Sequence, residues 1–241
     1  HLESSGLQIE DISTYTGFPE MMHGRLKTLH PKVFGGILCR RDHDEDLQAC
    51  DEHGIRSFEL IVVNLYPFEA TIARAGVTLA EAIEQIDIGG PSLVRAAAKN
   101  HAFVAIVTNP EQYSAVLDDI SRQGSVSDEL RRRLAAEAFA CTAAYDRAIA
   151  DYFAGSLTQG PFPPTLNLTL RCKEELRYGE NPHQAAAVYR EVGARGPSLV
   201  TARQLNGKEL SYNNLLDLDS ALVIARSFVQ PAAAVIKHNN P

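Results

Sequence analysis

Two stretches in the first half of the sequence and two in the second carry residues able to do chemistry on an anionic, carbonyl-bearing ligand. "HGRLKTLHPK" (23–32) holds Arg25, Lys27, His30 and Lys32, in a chain whose formal net charge is −7. Such a cluster can neutralise a phosphate or polarise a carbonyl, Arg25 through a two-pronged guanidinium and Lys27 as a point charge. A basic surface loop would read the same way. "QIDIGGPSLVRAAAKNH" (85–101) reads as one helix ending at Asp87, with Gly89 and Gly90 permitting close backbone approach and Pro91 opening the next helix. Free amides at a helix start suit an anion or a carbonyl oxygen, although a tight helix connection needs the same residues. Lys99 follows about two and a half turns later. It reads as a solvated partner of the helix dipole or, beside a pocket, as a proton donor or acceptor.

In the second half, "ELRYGENPHQ" (175–184) offers Arg177, Tyr178, Glu180, Asn181 and His183 in a loop too polar to pack as core. It serves either as a linker or as a ligand clamp. Near the end, Lys237 and His238 follow an apolar run, where a histidine that titrates near neutral pH can take a proton from an attacking amine. The eight histidines show no metal-ligand spacing, so no catalytic metal is predicted. Walker, Rossmann and GxSxG fingerprints are absent, which argues against a nucleoside triphosphate site, a dinucleotide site and an acyl-enzyme route.

The elements that must position these residues alternate in type. "FELIVVN" (58–64), "AFVAIVTN" (102–109) and "AAAVIKH" (232–238) are nearly uncharged and β-branched, and read as buried parallel strands. Asn64 and Tyr66 then stand just beyond the first strand, where open α/β sheets bind ligands. Thr78 and Glu81 form a capping box, Pro110 opens a helix behind Asn109, and a longer helix spans about 127–154. The opening residues read as the tail of a helix followed by a short strand. "GSLTQGPFPPTLNLTL" (155–170) is too rich in Gly and Pro for regular helix and marks a boundary. A second unit follows, with a strand near "AAAVYR", a turn at Asn206-Gly207, and a helix from Leu215 that Asn214 can cap. The fold class is therefore α/β.

With 45% hydrophobic and 22% charged residues the composition is that of a folded protein. The net charge of −7 disfavours nonspecific nucleic-acid binding. The four cysteines show no CxxC pair and read as reduced thiols of a cytosolic protein. No apolar run reaches the roughly 20 residues of a membrane helix.

Taken in order, "TGFPEMMHGRLKTLHPKVFGGIL", "NLYPF", "EQIDIGGPSLVRAAAKNH", "LRYGENPHQ", "GKELSYNNLLDLDSAL" and "IKHNNP" resemble the bifunctional purine-biosynthesis family that joins phosphoribosylaminoimidazolecarboxamide formyltransferase to IMP cyclohydrolase. The resemblance implies a cyclohydrolase of methylglyoxal-synthase-like fold over residues 1–155 and a linker over 156–170. The opening of a cytidine-deaminase-like α/β formyltransferase domain would follow over 171–241. It implies that Arg25, Lys27 and Thr28 form a substrate-binding basic loop, Asn64 and Tyr66 a pocket wall, and Asp87 with Ile88, Gly89 and Gly90 a base-contacting turn. Lys99 would be a proton-transfer lysine, with Lys27, Tyr66 and Asp87 joining it in catalysis. His238 would be the base of formyl transfer, Lys237 its charge stabiliser, and Arg177 and Tyr178 nucleotide contacts. Purine nucleotide monophosphates would be the substrates and 10-formyltetrahydrofolate a co-substrate. No cofactor would be tightly bound, no nucleic acid or membrane would be a partner, and the protein would be a cytosolic homodimer. The family's Ser-x-Lys turn, Ser-Gly-Gly-Thr phosphate loop and folate site have no counterpart in this sequence, so a fragment with at most weak cyclohydrolase activity and no transformylation is expected. A noncatalytic nucleotide-binding regulatory module of the same fold and an inert fragment are the competing expectations.

Overall fold

The computed structural model describes residues 3–157, 165–192 and 196–239 of the 241-residue chain. The chain divides into two compact units, His1–Pro163 and Pro164–Pro241. In chain order the first contains α1 (Ile12–Thr16), α2 (Pro31–Leu38), α3 (Asp44–Glu52), β1 (Leu60–Val62), α4 (Phe68–Ile72) and α5 (Leu79–Glu84). It continues with α6 (Gly89–Lys99), β2 (Ala105–Val107), α7 (Tyr113–Gln123) and α8 (Asp128–Leu157).

β1 and β2 pair in parallel, with Leu60, Ile61 and Val62 opposite Ala105, Ile106 and Val107. Both lie inside the two first apolar runs, but each is only three residues long. β2 is buried throughout, and its alternation serves two layers. Val104 and Ile106 join Val33 and Ile37 of α2 and Val94, Ala97 and Ala98 of α6. Ala105 and Val107 turn the other way, to Val116 of α7 and Leu130 and Leu134 of α8. Small residues let the backbones approach: a Cβ at Gly36 of α2 would lie 2.2 Å from the Arg56 carbonyl oxygen.

Helix starts follow the chemistry read from the sequence. Thr78 and Glu81 complete a reciprocal capping box on α5, and Asn109 caps a short turn at Pro110–Gln112 that leads into α7. α8 covers the expected long helix, burying Leu130, Leu134, Ala138 and Tyr145 on one face. The opening residues differ from expectation. They form a short turn at Glu3–Ser5 and then α1, whose amide at Ser13 bonds to the Asp11 carboxylate, in place of a strand. α6 begins at Gly89, two residues before Pro91, because Asp87 lies in the preceding turn and accepts the Gly90 amide.

The second unit contains β3 (Leu170–Glu175), β4 (Ala187–Glu191) and α9 (Tyr212–Arg226). β4 is the "AAAVYR" strand, and it pairs antiparallel with β3, an element hidden in sequence by its charged "RCKEE". α9 starts three residues earlier than read, because Ser211 is its cap and Asn214 the reciprocal partner. Gly207 takes φ +100 in the expected turn. The run 232–238 is not a strand: residues 231–236 have no regular structure, and Val235 is 88% exposed. A β-branched run becomes a buried strand only where a neighbour supplies ladder bonds and covering layers, and this run has no more than a single bridge, at Lys237. Of the boundary stretch, 158–164 lies outside the described residues and 165–169 is irregular. No helix among the described residues is long and apolar enough to cross a membrane.

Candidate functional site

A cavity of about 570 Å³ opens in the first unit, lined by the basic loop, by Tyr66 and by the turn entering α6. The basic loop reaches it through a strained reversal. Met21 and Leu26 form an isolated antiparallel bridge, and between them Met22, His23 and Gly24 all take positive φ (55, 55 and 89). Left-handed backbone costs about 1–2 kcal/mol for a non-glycine residue, so the loop holds a conformation it would not choose alone. The result places Arg25, Lys27 and Thr28 on one wall.

Each cation meets an acid from a neighbouring segment. Arg25 pairs with Glu84 of α5, and the Lys27 ammonium stands 2.8 Å from the Glu20 carboxylate. That hydrogen bond and the charge of Glu20 raise the Lys27 pKa above the ordinary lysine value, so Lys27 is a standing positive charge. An entering anion must compete with Glu20 and Glu84 for these two side chains.

The opposite wall is the turn Gln85–Gly90. The Asp87 carboxylate accepts the Gly90 amide at 2.8 Å, closing the start of α6. The Ile88 and Gly89 amides have no acceptor among the described residues, and both residues line the cavity. Glycine is required where the walls meet. A Cβ at Gly90 would lie 2.3 Å from Asp87 Oδ2 and 2.9 Å from Leu65 Cδ2, and one at Gly89 would lie 3.0 Å from Thr28 Oγ1. Tyr66, 54% exposed, completes the rim.

Of the residues read from the sequence, Arg25, Lys27, Thr28, Tyr66, Asp87, Ile88, Gly89 and Gly90 converge on this cavity. Asn64 and Lys99 are exposed and are not among its lining. Lys99 is the last residue of α6, so the helix's own rise of about 15 Å separates it from the turn at Gly89. Proximity in sequence to the glycine pair concealed that separation. His30 is taken by another task, its ring nitrogen accepting the Lys32 amide at 3.1 Å to cap α2. Sequence reading missed Glu84, Ile83, Ile86 and Leu93 as lining, although the helical period from the Thr78 cap already placed the first two at the end of α5.

The second unit has its own cavity of about 550 Å³, lined by Arg177, Gln204, Asn206, Lys208, Asn214, Asp217 and Ile236 among others. The Arg177 guanidinium lies 4.9 Å from the Tyr178 ring, and hydrogen bonds from Ser211 and then Arg177 hold the Tyr178 phenol below its ordinary pKa. Tyr178, Lys237 and His238 are not among the lining residues. His238 takes φ +54, and the next residue, Asn239, donates its amide to Asp217 of α9 at 2.7 Å. Among the described residues, no group of three or more His, Cys, Asp or Glu side chains is arranged to hold a metal ion.

Comparison with known proteins decides the family. The family model described as "AICARFT/IMPCHase bienzyme" matches residues 97–241, and that of an MGS-like domain matches residues 1–92. This chain belongs to the AICARFT/IMPCHase bienzyme family. It is 63% identical over 241 residues to the bifunctional purine biosynthesis protein PurH of Rhodopirellula baltica, covering all of this chain and 46% of that protein. It is 50% identical over 240 residues to the PurH of Halalkalibacterium halodurans, covering 47% of it. The chain thus spans about half the length of the curated relatives it matches. Among solved structures, one titled "Crystal structure of ForH" is similar with a TM-score of 0.58 and 34% identity, over 66% of this chain and 81% of that one. The change from one family model to the other falls inside α6, whose Val94 and Ala96 are buried, so the packed unit continues across it to α8.

Proposed function

We propose that residues 1–155 carry an IMP cyclohydrolase site and that residues 171–241, beyond a linker at 156–170, open a formyltransferase domain. The parent protein would thus perform the last two steps of IMP synthesis. The convergence of Arg25, Lys27, Thr28, Tyr66 and the Asp87–Gly90 turn on one cavity carries this reading. Arg25 and Lys27 receive the nucleotide's anionic or carbonyl oxygens as Glu20 and Glu84 release them, and the free Ile88 and Gly89 amides receive the base. Cyclisation joins the carboxamide nitrogen to the formyl carbon. The carboxamide nitrogen and the formamido nitrogen each give up one proton, the formyl oxygen takes both, and it leaves as water as the ring closes. Orientation and charge stabilisation are what such a step needs from the protein, with Lys27 holding the developing oxyanion and Asp87 and Tyr66 beside the atoms that exchange protons.

For the preceding step, Arg177 and Tyr178 contact the nucleotide, His238 removes a proton from the attacking amine, Lys237 stabilises charge, and 10-formyltetrahydrofolate supplies the formyl group. No tightly bound cofactor is needed, and a cytosolic homodimer is the form proposed. The exposed position of Lys99 favours a second reading in one respect, since a nucleotide-binding regulatory module needs the cavity and not the lysine.

The test is conversion of the formylated aminoimidazole carboxamide nucleotide to inosine monophosphate by the chain, with Lys27→Ala and Lys99→Ala beside it and circular dichroism confirming that all three are folded. Turnover lost in Lys27→Ala supports the cyclohydrolase reading. A folded chain that binds inosine monophosphate and turns nothing over supports the regulatory one. Turnover lost in Lys99→Ala with nucleotide binding retained would give Lys99 a role its place on α6 does not provide within one chain.

A further inference from the structure

The turn that carries Asp87, Ile88 and Gly89 is held from behind, by a residue that does not line the cavity. The hydroxyl of Tyr145, on α8, stands between two peptide groups of that turn. It donates to the Gln85 carbonyl at 2.9 Å and accepts from the Asp87 amide at 2.8 Å. The ring itself is 8% exposed and packs edge-on against Phe68, with centroids 6.3 Å apart and planes at 69°. Phe68 begins α4 two residues after Tyr66, and Leu65 and Ile86 pack against the same cluster. One side chain of α8 therefore touches both segments that form this side of the cavity.

The two bonds have a directional consequence. With its N–H committed to Tyr145 and its carboxylate to the Gly90 amide, Asp87 is fixed at both backbone and side chain. The following amides of Ile88 and Gly89 have no acceptor among the described residues, and both residues line the cavity. Burial pushes the Tyr145 phenol above the ordinary tyrosine pKa, so it remains a donor to Gln85 across the neutral range. No other side chain among the described residues bonds to the Gln85 carbonyl or the Asp87 amide.

We propose that Tyr145 is a positioning residue of the first-unit site, setting the peptide orientation of the Gln85–Gly90 turn so that the Ile88 and Gly89 amides and the Asp87 carboxylate meet the ligand. The proposal rests on reading the cavity as a nucleotide site. Tyr145→Phe keeps the ring and removes only the oxygen, leaving two backbone groups unpartnered. Ile149→Ala, in the same cluster and without a hydrogen bond to the turn, serves as a control for lost packing alone.

The experiment reads amide exchange at Asp87, Ile88 and Gly89 and inosine monophosphate affinity by calorimetry in the 241-residue chain and both variants. In Tyr145→Phe the Asp87 amide loses protection and affinity falls about tenfold, whereas Ile149→Ala lowers the unfolding temperature without weakening affinity. Unchanged exchange at Asp87 or unchanged affinity in Tyr145→Phe overturns the proposal, as does an equal loss of affinity in Ile149→Ala. If Asp87 responds but the unmodified chain does not bind the nucleotide, the nucleotide reading fails while the anchoring of the turn by Tyr145 stands.

Discussion

The two units are built from the same kinds of element and held in different ways. Every fully buried apolar side chain among the described residues, from Ile37 to Leu134, belongs to the first. There β2 spends its alternation on two layers of helix. In the second unit Leu205 is 84% exposed, Val223 63% and Phe228 59%, although the sequence is nearly as apolar. Its order comes from the β3–β4 ladder, the Ser211–Asn214 capping box and the backbone bonds that dock the 177–184 loop on the start of α9. Hydrogen bonds of that kind contribute about 0.5–1.5 kcal/mol net each, whereas burying one Leu or Val contributes about 1.5–3 kcal/mol.

The comparison breaks most visibly at a buried leucine. Leu134, 1% exposed between β2 and α7, should cost about 2–5 kcal/mol as Leu134→Ala in thermal or urea unfolding, whereas Leu216→Ala in the second unit, 41% exposed, should cost less than about 0.5 kcal/mol. Similar losses at both positions would erase the distinction.

Ligand binding comes next. Lys27→Ala should weaken inosine monophosphate binding by about 10- to 100-fold, as loss of a charged hydrogen bond implies, with little change in unfolding temperature because its pairing with Glu20 is solvent-exposed. Calorimetry and a melting curve on the same sample separate the two effects. A smaller gain is expected at the strained loop. Met22 is 64% exposed with φ +55, so Met22→Gly should raise the stability of the first unit by about 0.5–1 kcal/mol, measured by chemical denaturation.

The finest contrast is in pH. Asp119 is buried beside Ser127, whose hydroxyl and amide, followed by Arg122, hold its carboxyl below the ordinary aspartate pKa. Its contribution is therefore present above the unfolded-state value of about 4 and is lost as pH falls through the lower folded value. The first unit should lose stability below about pH 4, and Asp119→Asn should flatten that dependence; a variant with the same acid profile would remove Asp119 from the account.

Local chemistry was legible in the chain itself. The capping box at Thr78, the helical turn opening at Pro110 behind Asn109, the long amphipathic helix and the two parallel strands all follow from interactions within a few residues or from burial that the apolar pattern records. The polar side chains of the cavity were legible too, because unpartnered basic and Gly-Gly segments stand out against an acidic composition. Only tertiary structure decided which of them meet. It separated Lys99 from the cavity by the length of α6, turned His30 into a cap, and brought Tyr145 from α8 to the Asp87 turn, fifty-eight residues away in sequence. It also left residues 231–236 without regular structure, with a single bridge at Lys237, since a strand is a property of its neighbours as much as of its own residues. Hydrogen bonds and packing between distant segments are set by how the layers stack, and no local pattern encodes them.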